Sequence, residues 1–247
     1  MARSVQRCVG FQKDKTIYSL ALPKFLLIES SGEVCSAAVA VDTTIVAEKA
    51  IQEANSHSTY LASYVDEVLQ VANLKVGDLD AIVVGGGPGS YTGLRIGVSL
   101  AKGLCFGANI PLIACSTLRA LAVAALEQNP NADRVISLID ARRMDAYLGV
   151  FDAKLVAEAE EHFITIDEQL AVDYLKGDTI AVGSGAAKWI TEFELGDSVI
   201  DTKSTLYAKH LLNEALQKWE QNSVEDMAYY EPNYIKSVFV TRPKPKF

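Results

Sequence analysis

The densest group of residues able to do chemistry is Gly85-Gly-Gly-Pro-Gly-Ser-Tyr-Thr-Gly-Leu-Arg95. It stands directly after the apolar run Ala81–Val84 and directly before a helical pattern. Glycines permit positive φ and close backbone approach, and a helix N-terminus offers unsatisfied N–H groups to an anion. Gly85, Gly86, Gly87, Gly89, Ser90, Thr92, Gly93 and Arg95 are therefore candidate anion- or nucleotide-binding residues. The same pattern fits a tight strand-to-helix turn whose glycines serve packing, and the sequence weights the two readings equally. No Gly-Lys-Ser/Thr follows, so this is not a Walker loop. The spacing from Gly87 is G-x-G-x-x-x-G, so it is not a dinucleotide fingerprint either.

Two acids, Glu29 and Asp140, each end an apolar run, Phe25-Leu-Leu-Ile-Glu29 and Ile136-Ser-Leu-Ile-Asp140. Those are the places where two-lobed ATPases hold metal and water. The turns after them differ. Ser30-Ser31-Gly32 keeps hydroxyls and one glycine, whereas Ala141-Arg142-Arg143-Met144 has no glycine. A phosphate-cradling hairpin wants glycine N–H groups facing the ligand, so the acids read as vestigial. Arg142 and Arg143 suit an anion grip or a salt-bridged turn equally.

Other chemistries find less support. His57, His162 and His210 are far apart and form no helix pair, so no metal site is expected. His57, between Ser56 and Ser58, reads as a polar helix start. No Gly-x-Ser-x-Gly elbow is present, which leaves serine hydrolysis unsupported. Cys35, Cys105 and Cys115 sit among apolar residues, and with Cys8 they show neither CxxC pairing nor zinc spacing. Buried thiols in a reducing cytoplasm are the expectation.

The elements that must position these residues come from an internal duplication. Each acid-ending run is followed by a polar turn, a small and apolar stretch (to Val41, and Ala146–Phe151), a second turn and a short third strand (Ile45-Val-Ala-Glu48, and Leu155-Val-Ala-Glu158). Both read as antiparallel meanders. Asp80-Ala-Ile-Val-Val-Gly-Gly-Gly87 is then echoed by Asp178-Thr-Ile-Ala-Val-Gly-Ser-Gly185. Helical spacing marks Ser58–Ala72, Thr92–Phe106, Ser116–Glu127 and Tyr207–Glu220, the second apolar on most sides. Asn129-Pro-Asn-Ala-Asp133 breaks the chain. The expected architecture is α/β: two similar actin/Hsp70-like (ribonuclease H-like) lobes, 25–128 and 133–235, with mixed sheets flanked by helices. Residues 1–24 read as an extension outside the fold, with an upstream start codon as one account, and 236–247 as a basic tail. Tyr229, Tyr230 and Tyr234 with Pro232 read as packing of the tail segment onto the fold.

Of the 247 residues, 49% are apolar and 22% charged, ordinary for a soluble globular chain. No uncharged apolar run reaches the ~20 residues of a membrane span, so no membrane partner is expected. The net charge of −8 hides a division: residues 1–24 hold five bases and one acid, and the rest eighteen bases against thirty acids. An acidic body argues against a broad phosphate-gripping surface of its own.

Phe25-Leu-Leu-Ile-Glu-Ser-Ser-Gly-Glu-Val-Cys-Ser-Ala-Ala-Val39 resembles the opening of the bacterial TsaB (YeaZ) family. Gly87-Pro-Gly-Ser-Tyr-Thr-Gly-Leu-Arg-Ile-Gly97 with Ala101-Lys-Gly-Leu resembles that family's most distinctive stretch. Asp80-Ala-Ile, Pro111-Leu-Ile-Ala-Cys-Ser-Thr-Leu118 and Ile139-Asp-Ala-Arg142 fit as well, and the likeness spans about residues 25–235. The family opens with Asp-Thr where Glu29-Ser30 stands here, and carries Phe where Tyr91 stands. The resemblance implies an actin/Hsp70 ATPase-superfamily protein, grouped historically with M22 glycoproteases. It implies a non-catalytic, cytoplasmic subunit for N6-threonylcarbamoyladenosine formation beside the anticodon of tRNAs reading codons that start with A. The implied partners are a metal-bearing TsaD-like catalytic subunit, a TsaE-like ATPase, a second copy when the chain is alone, and tRNA indirectly through the complex. No cofactor of its own is implied, with ATP or ADP binding weak or partner-dependent. Leu61, Val65, Val68 and Leu69 of the first amphipathic helix, with the Thr92–Phe106 helix, are the candidate partner surface. An ATP-dependent phosphotransferase of the same fold and a metallopeptidase are the alternatives.

Overall fold

A computed structural model describes residues 22–52, 57–167, 174, 177–194, 200–202 and 204–234. The described strands form two five-stranded sheets. The first contains β1 (Lys24–Glu29), β2 (Cys35–Val41), β3 (Thr44–Ile51), β4 (Ala81–Gly87) and β5 (Leu112–Ser116), in the order β3-β2-β1-β4-β5. The second contains β6 (Arg134–Asp140), β7 (Asp145–Asp152), β8 (His162–Thr165), β9 (Thr179–Val182) and β10 (Ile200–Thr202), in the order β10-β9-β6-β7-β8. Each acid-ending strand is thus central, with an antiparallel neighbour on one side and a parallel one on the other.

Burial on both faces explains why β1 reads as an unbroken apolar run. Phe25 and Leu27 join one core, with Ala81, Val83 and Leu118, while Leu26 and Ile28 join another, with Ile82, Val84 and Val98. Helices α1 (His57–Val71) and α2 (Tyr91–Ala108) cover the second of these. Helix α3 (Thr117–Gln128) and the 3-10 turn Ala208–Leu211 lie in the first, which also takes Val135, Phe151, Ile180 and Val182 of the second sheet. One continuous core therefore joins the two sheets. Two shorter helices complete the described fold: α4 (Ala186–Glu192) and α5 (Leu212–Glu220).

The helix ends follow side-chain logic. Ser90 Oγ accepts the Gly93 N–H and caps α2, and Ser116 Oγ accepts the Arg119 N–H and caps α3. Asn109, in the left-handed region at φ 55°, ends α2.

Four readings change. Leu155–Glu158 pairs with β7 through one isolated antiparallel bridge, Ala157 to Phe151, rather than as a full strand, and Asp152 Oδ1 accepts the N–H groups of Lys154 and Val156 in the turn that leads into it. The third strand of that meander is β8, paired with β7. Tyr207–Glu220 is a 3-10 turn followed by α5 rather than one helix. Lys24 belongs to β1, its N–H donating to Asp80. Ser56, Cys8, residues 1–21 of the expected 1–24 extension and the 236–247 tail lie outside the described residues. Cys35, Cys105 and Cys115 are buried free thiols. Among the described residues no helix is long and apolar enough to cross a membrane.

Candidate functional site

β1 delivers Glu29 to the sheet's carboxyl edge, beside the glycine loop that ends β4. The side chain is fully buried. One carboxyl oxygen accepts the Ser31 N–H, and the other has no partner among the described atoms. That second oxygen lies against the Gly85 backbone so closely that a Cβ there would overlap it. Burial raises the carboxyl to about 7, against the hydrogen bonds from Ser31 and Ser30, which lower it. Below pH 7, therefore, Glu29 is mainly a neutral group sealed under glycine.

The turn after β1 occupies the rest of the loop. Ser30 Oγ donates to the Gly93 carbonyl at 2.9 Å. The Ser30 carbonyl takes the space a Cβ at Gly93 would need, and its hydroxyl takes the space at Gly97. The Ser31 carbonyl accepts the Ser90 N–H at 2.8 Å and would stand 2.7 Å from a Cβ at Gly89. Thr117 Oγ1 donates to the Pro88 carbonyl, closing the loop from α3. The peptide Gly87–Pro88 is cis.

A strap from the far end of the chain covers the remaining side. The Asn233 N–H donates to the Gly86 carbonyl at 2.8 Å, and the Asn233 carbonyl would lie 2.8 Å from a Cβ at Gly87, whose φ of +109° already favours glycine. The Tyr230 hydroxyl stands over Gly86. Upstream, the Glu225 N–H donates to the Leu112 carbonyl, and Lys218 Nζ donates to the Ala114 carbonyl. Tyr230 and Tyr234 therefore pack as expected, while Tyr229 is 84% exposed. Thr92 and Arg95 point outward from α2. Arg95 stacks over the Tyr91 ring at 4.1 Å and donates to the Tyr234 hydroxyl at 3.2 Å.

The loop glycines thus serve close packing of the chain on itself. The space a phosphate would take is held by Ser30, Ser31, Tyr230 and Asn233. A nucleotide–metal group, which the fold class implies, does not fit these residues: the acid that would hold the metal, Glu29, is fully buried against the loop backbone.

Asp140 has a different setting. Its carboxylate accepts the Arg142 N–H at 2.9 Å and pairs with Lys188, which also donates to the Arg143 carbonyl. The Asp140 N–H donates to Ser184 Oγ. Arg142 and Arg143 both adopt positive φ, 73° and 53°, in a turn where glycine would be easier. The acid is paired with a lysine rather than free for a cation, and its carboxylate's bonded partners are Arg142 and Lys188, neither of which bonds to the Glu29 turn among the described residues.

The partner-surface candidates require correction. Leu61, Val65, Val68 and Leu69 are 1–5% exposed and pack into the core between α1 and the first sheet. An amphipathic stripe reveals which face is apolar, and this one is already covered. Helix α2 is the open one: Phe106 is 79% exposed, and Ile96, Leu100 and Leu104 are half-buried. Gly103 and Gly107, one turn apart on α2, have nothing within 4 Å of a Cβ position and border a groove of about 340 Å³ with Val76, Gly77 and Leu104.

Sequence reasoning missed the strap's course and Thr117, for which the only sequence signal was the tyrosine group after α5. It also missed a polar pocket of about 280 Å³ that includes Glu127, Gln128, Tyr207 and His210 and none of the loop residues. There His210 Nδ1 accepts the Tyr207 N–H, and burial lowers the imidazole to about 4. No group of three His, Cys, Asp or Glu placed to hold a metal occurs among the described residues.

Similarity to known proteins agrees with this architecture. The family model for TsaD, tRNA N6-adenosine threonylcarbamoyltransferase, matches residues 44–238. The tRNA threonylcarbamoyladenosine biosynthesis protein TsaB of Haemophilus influenzae is 33% identical, over 89% of this chain and 96% of its own length. Its Escherichia coli namesake is 28% identical, over 87% and 95%. The solved structure of YeaZ from Pseudomonas aeruginosa superposes with a TM-score of 0.76 at 26% identity, over 86% of this chain and all of its own. With that identity sustained along nearly the whole of both chains, and the fold shared, the chain belongs to the TsaB (YeaZ) family.

Proposed function

We propose that the chain is a non-catalytic subunit needed for N6-threonylcarbamoyladenosine formation beside the anticodon of tRNAs reading codons that start with A. It acts by binding and supporting a TsaD-like catalytic partner. The observation that carries the non-catalytic reading is Glu29: the acid at the fold's metal position is enclosed beneath Gly85, with Ser30 and Ser31 filling the loop. The chain then holds no nucleotide of its own, and any ATP or ADP contact is weak or made with the partner. A TsaE-like ATPase joins the pair, tRNA is reached through the complex, and the setting is cytoplasmic. No specific feature of the site favours the phosphotransferase or the metallopeptidase.

The α2 face supports the docking part of this reading. Exposed Phe106 and half-buried Ile96, Leu100 and Leu104 give apolar area, while Gly103 and Gly107 let another helix approach the backbone closely. Exposed Tyr60 and Val71 on α1 extend it. A related lobe of the partner, or a second copy of this chain, fits the same face, so homodimer and heterodimer compete.

Reconstituted modification of tRNA by the partner, the ATPase and the adenylate-forming enzyme tests the proposal, with and without this chain. Strict dependence, with no product from the chain alone, is expected. Full modification without it would overturn the reading. In the same system Phe106→Glu should weaken partner binding tenfold or more, since charge in an apolar interface core costs ~2 kcal/mol or more. Unchanged affinity would place the interface elsewhere.

A further inference from the structure

We infer that the polar pocket between the end of α3 and the 3-10 turn Ala208–Leu211 is a binding site for a small zwitterion of the α-amino-acid kind. The inference goes beyond the subunit reading and does not rest on it, since the pocket's lining includes neither the glycine loop nor the α2 face. Its volume of about 280 Å³ stands near the ~300 Å³ at which ligand pockets begin, so it suits a small molecule.

The buried side of the pocket is His210, 4% exposed. Its Nδ1 accepts the Tyr207 N–H, which places the ring proton on Nε2, and burial lowers the imidazole to about 4, which keeps it neutral. The ring is therefore a fixed N–H donor. Facing that donor is Glu127 Oε2 at 3.4 Å, longer than a good hydrogen bond. Lys209 Nζ stands 3.8 Å from the same oxygen, and both side chains are partly exposed, so the pair is loose. A ligand oxygen can take the His210 N–H at full strength once Glu127 turns aside.

Charge selects the ligand. Lys209 and Glu127 place one cation and one carboxylate on the lining, and Glu48 of β3 is a second carboxyl whose charge reaches both. A plain anion would find Lys209 and the His210 N–H and be repelled by two carboxylates. A plain cation would find the carboxylates and make no use of the buried donor. A carboxylate and an ammonium on one carbon satisfy both sides. The carboxylate takes the His210 Nε2–H and Lys209, and the ammonium takes Glu127. Gln128 and Tyr207 supply the neighbouring wall.

Calorimetric titration of the full chain with the protein amino acids in turn tests this. The tightest binder is then compared with its N-acetyl and amide derivatives, each lacking one of the two charges and each expected to bind about tenfold more weakly. Glu127→Gln and Lys209→Met, both at partly exposed positions, should weaken the amino acid about tenfold as well. His210→Asn keeps an acceptor in the place of Nδ1 and removes the Nε2 donor, with a similar loss expected. Thermal unfolding of each variant identifies any loss due to folding. By NMR, the imidazole signal that disappears in His210→Asn should shift when the natural chain is saturated, while those of His57 and His162 stay in place.

Binding of no amino acid overturns the inference. So does equal affinity for either derivative, which would mean that one charge alone is read. Binding that all three variants leave unchanged would place the ligand elsewhere and overturn it too. These titrations use the chain without its partners, so they decide the pocket whatever the reconstituted modification shows.

Discussion

Glu29 and Asp140 stand at the same station of two matching sheets and have become opposite things. The first is enclosed, without a counter-charge among the described residues, and pushed up to about 7 by burial. The second lies in a surface turn, paired with Lys188 and bonded to the Arg142 N–H. Duplication preserved the backbone position, since both strands keep one antiparallel and one parallel neighbour. The turn after each acid decided the chemistry. Ser30 and Ser31 fold inward onto glycines and shut the first site. Ala141-Arg142-Arg143 folds outward and leaves the second to a surface ion pair.

The largest test of this contrast adds a methyl group at the closed site. Gly85→Ala should destabilise the fold by ~3 kcal/mol, the upper part of the overpacking range, because the fully buried carboxyl end of Glu29 must shift to admit the methyl group. Combining it with Glu29→Ala should recover part of that loss, giving a coupling of ~1–3 kcal/mol in a double-mutant cycle by chemical denaturation. Additive losses would mean that Glu29 does not occupy that space.

Next comes the response to pH. Glu29 has its folded value raised to about 7 from 4.5, so the folded state favours the neutral form. Its contribution is complete below about 4.5 and is lost as pH rises through 7, an expected decline of order ~3 kcal/mol. Glu29→Gln should flatten that part of the stability–pH curve and be more stable than the natural chain at pH 8. A variant with an unchanged slope would show that Glu29 ionises without penalty.

Val65→Glu ranks third, and it now reads as a folding lesion rather than an interface probe. A carboxylate forced into a position 4% exposed should cost ~2–4 kcal/mol and lower Tm before it changes partner affinity. The smallest effect belongs to the open site. Lys188→Ala should cost no more than ~1 kcal/mol, because the Asp140 pair is partly solvated. A loss as large as that at Gly85 would erase the distinction between the two acids.

Much of this contrast was legible in the sequence. The acid-ending runs, the polar turns and the glycine-ending strands located both stations, and apolar periodicity placed the helices within a few residues. The role of the glycines was not legible, because one spacing serves a phosphate or a serine carbonyl equally well, and only the position of Ser30 decides. The state of the α1 stripe was hidden for a related reason. Leu61, Val65, Val68 and Leu69 mark an apolar face, but its cover is a sheet, and that pairing is long-range. Leu155–Glu158 carried strand-like residues and keeps one antiparallel bridge to Phe151, while the Asp152 carboxylate holds the turn before it through local hydrogen bonds that no residue pattern announces. Of the strap, the tyrosine group after α5 announced that the segment packs on the fold, but its course was not legible, since backbone bonds such as Asn233 to Gly86 leave no pattern in side-chain type.

That strap also sets an order of events during synthesis. The first sheet is complete in sequence by Ser116, yet its carbonyls at Gly86, Leu112 and Ala114 receive donors from Asn233, Glu225 and Lys218. A nascent chain on the ribosome therefore exposes a finished sheet with an unfinished edge until residues 218–233 emerge. The half that is translated first is the half that is sealed last.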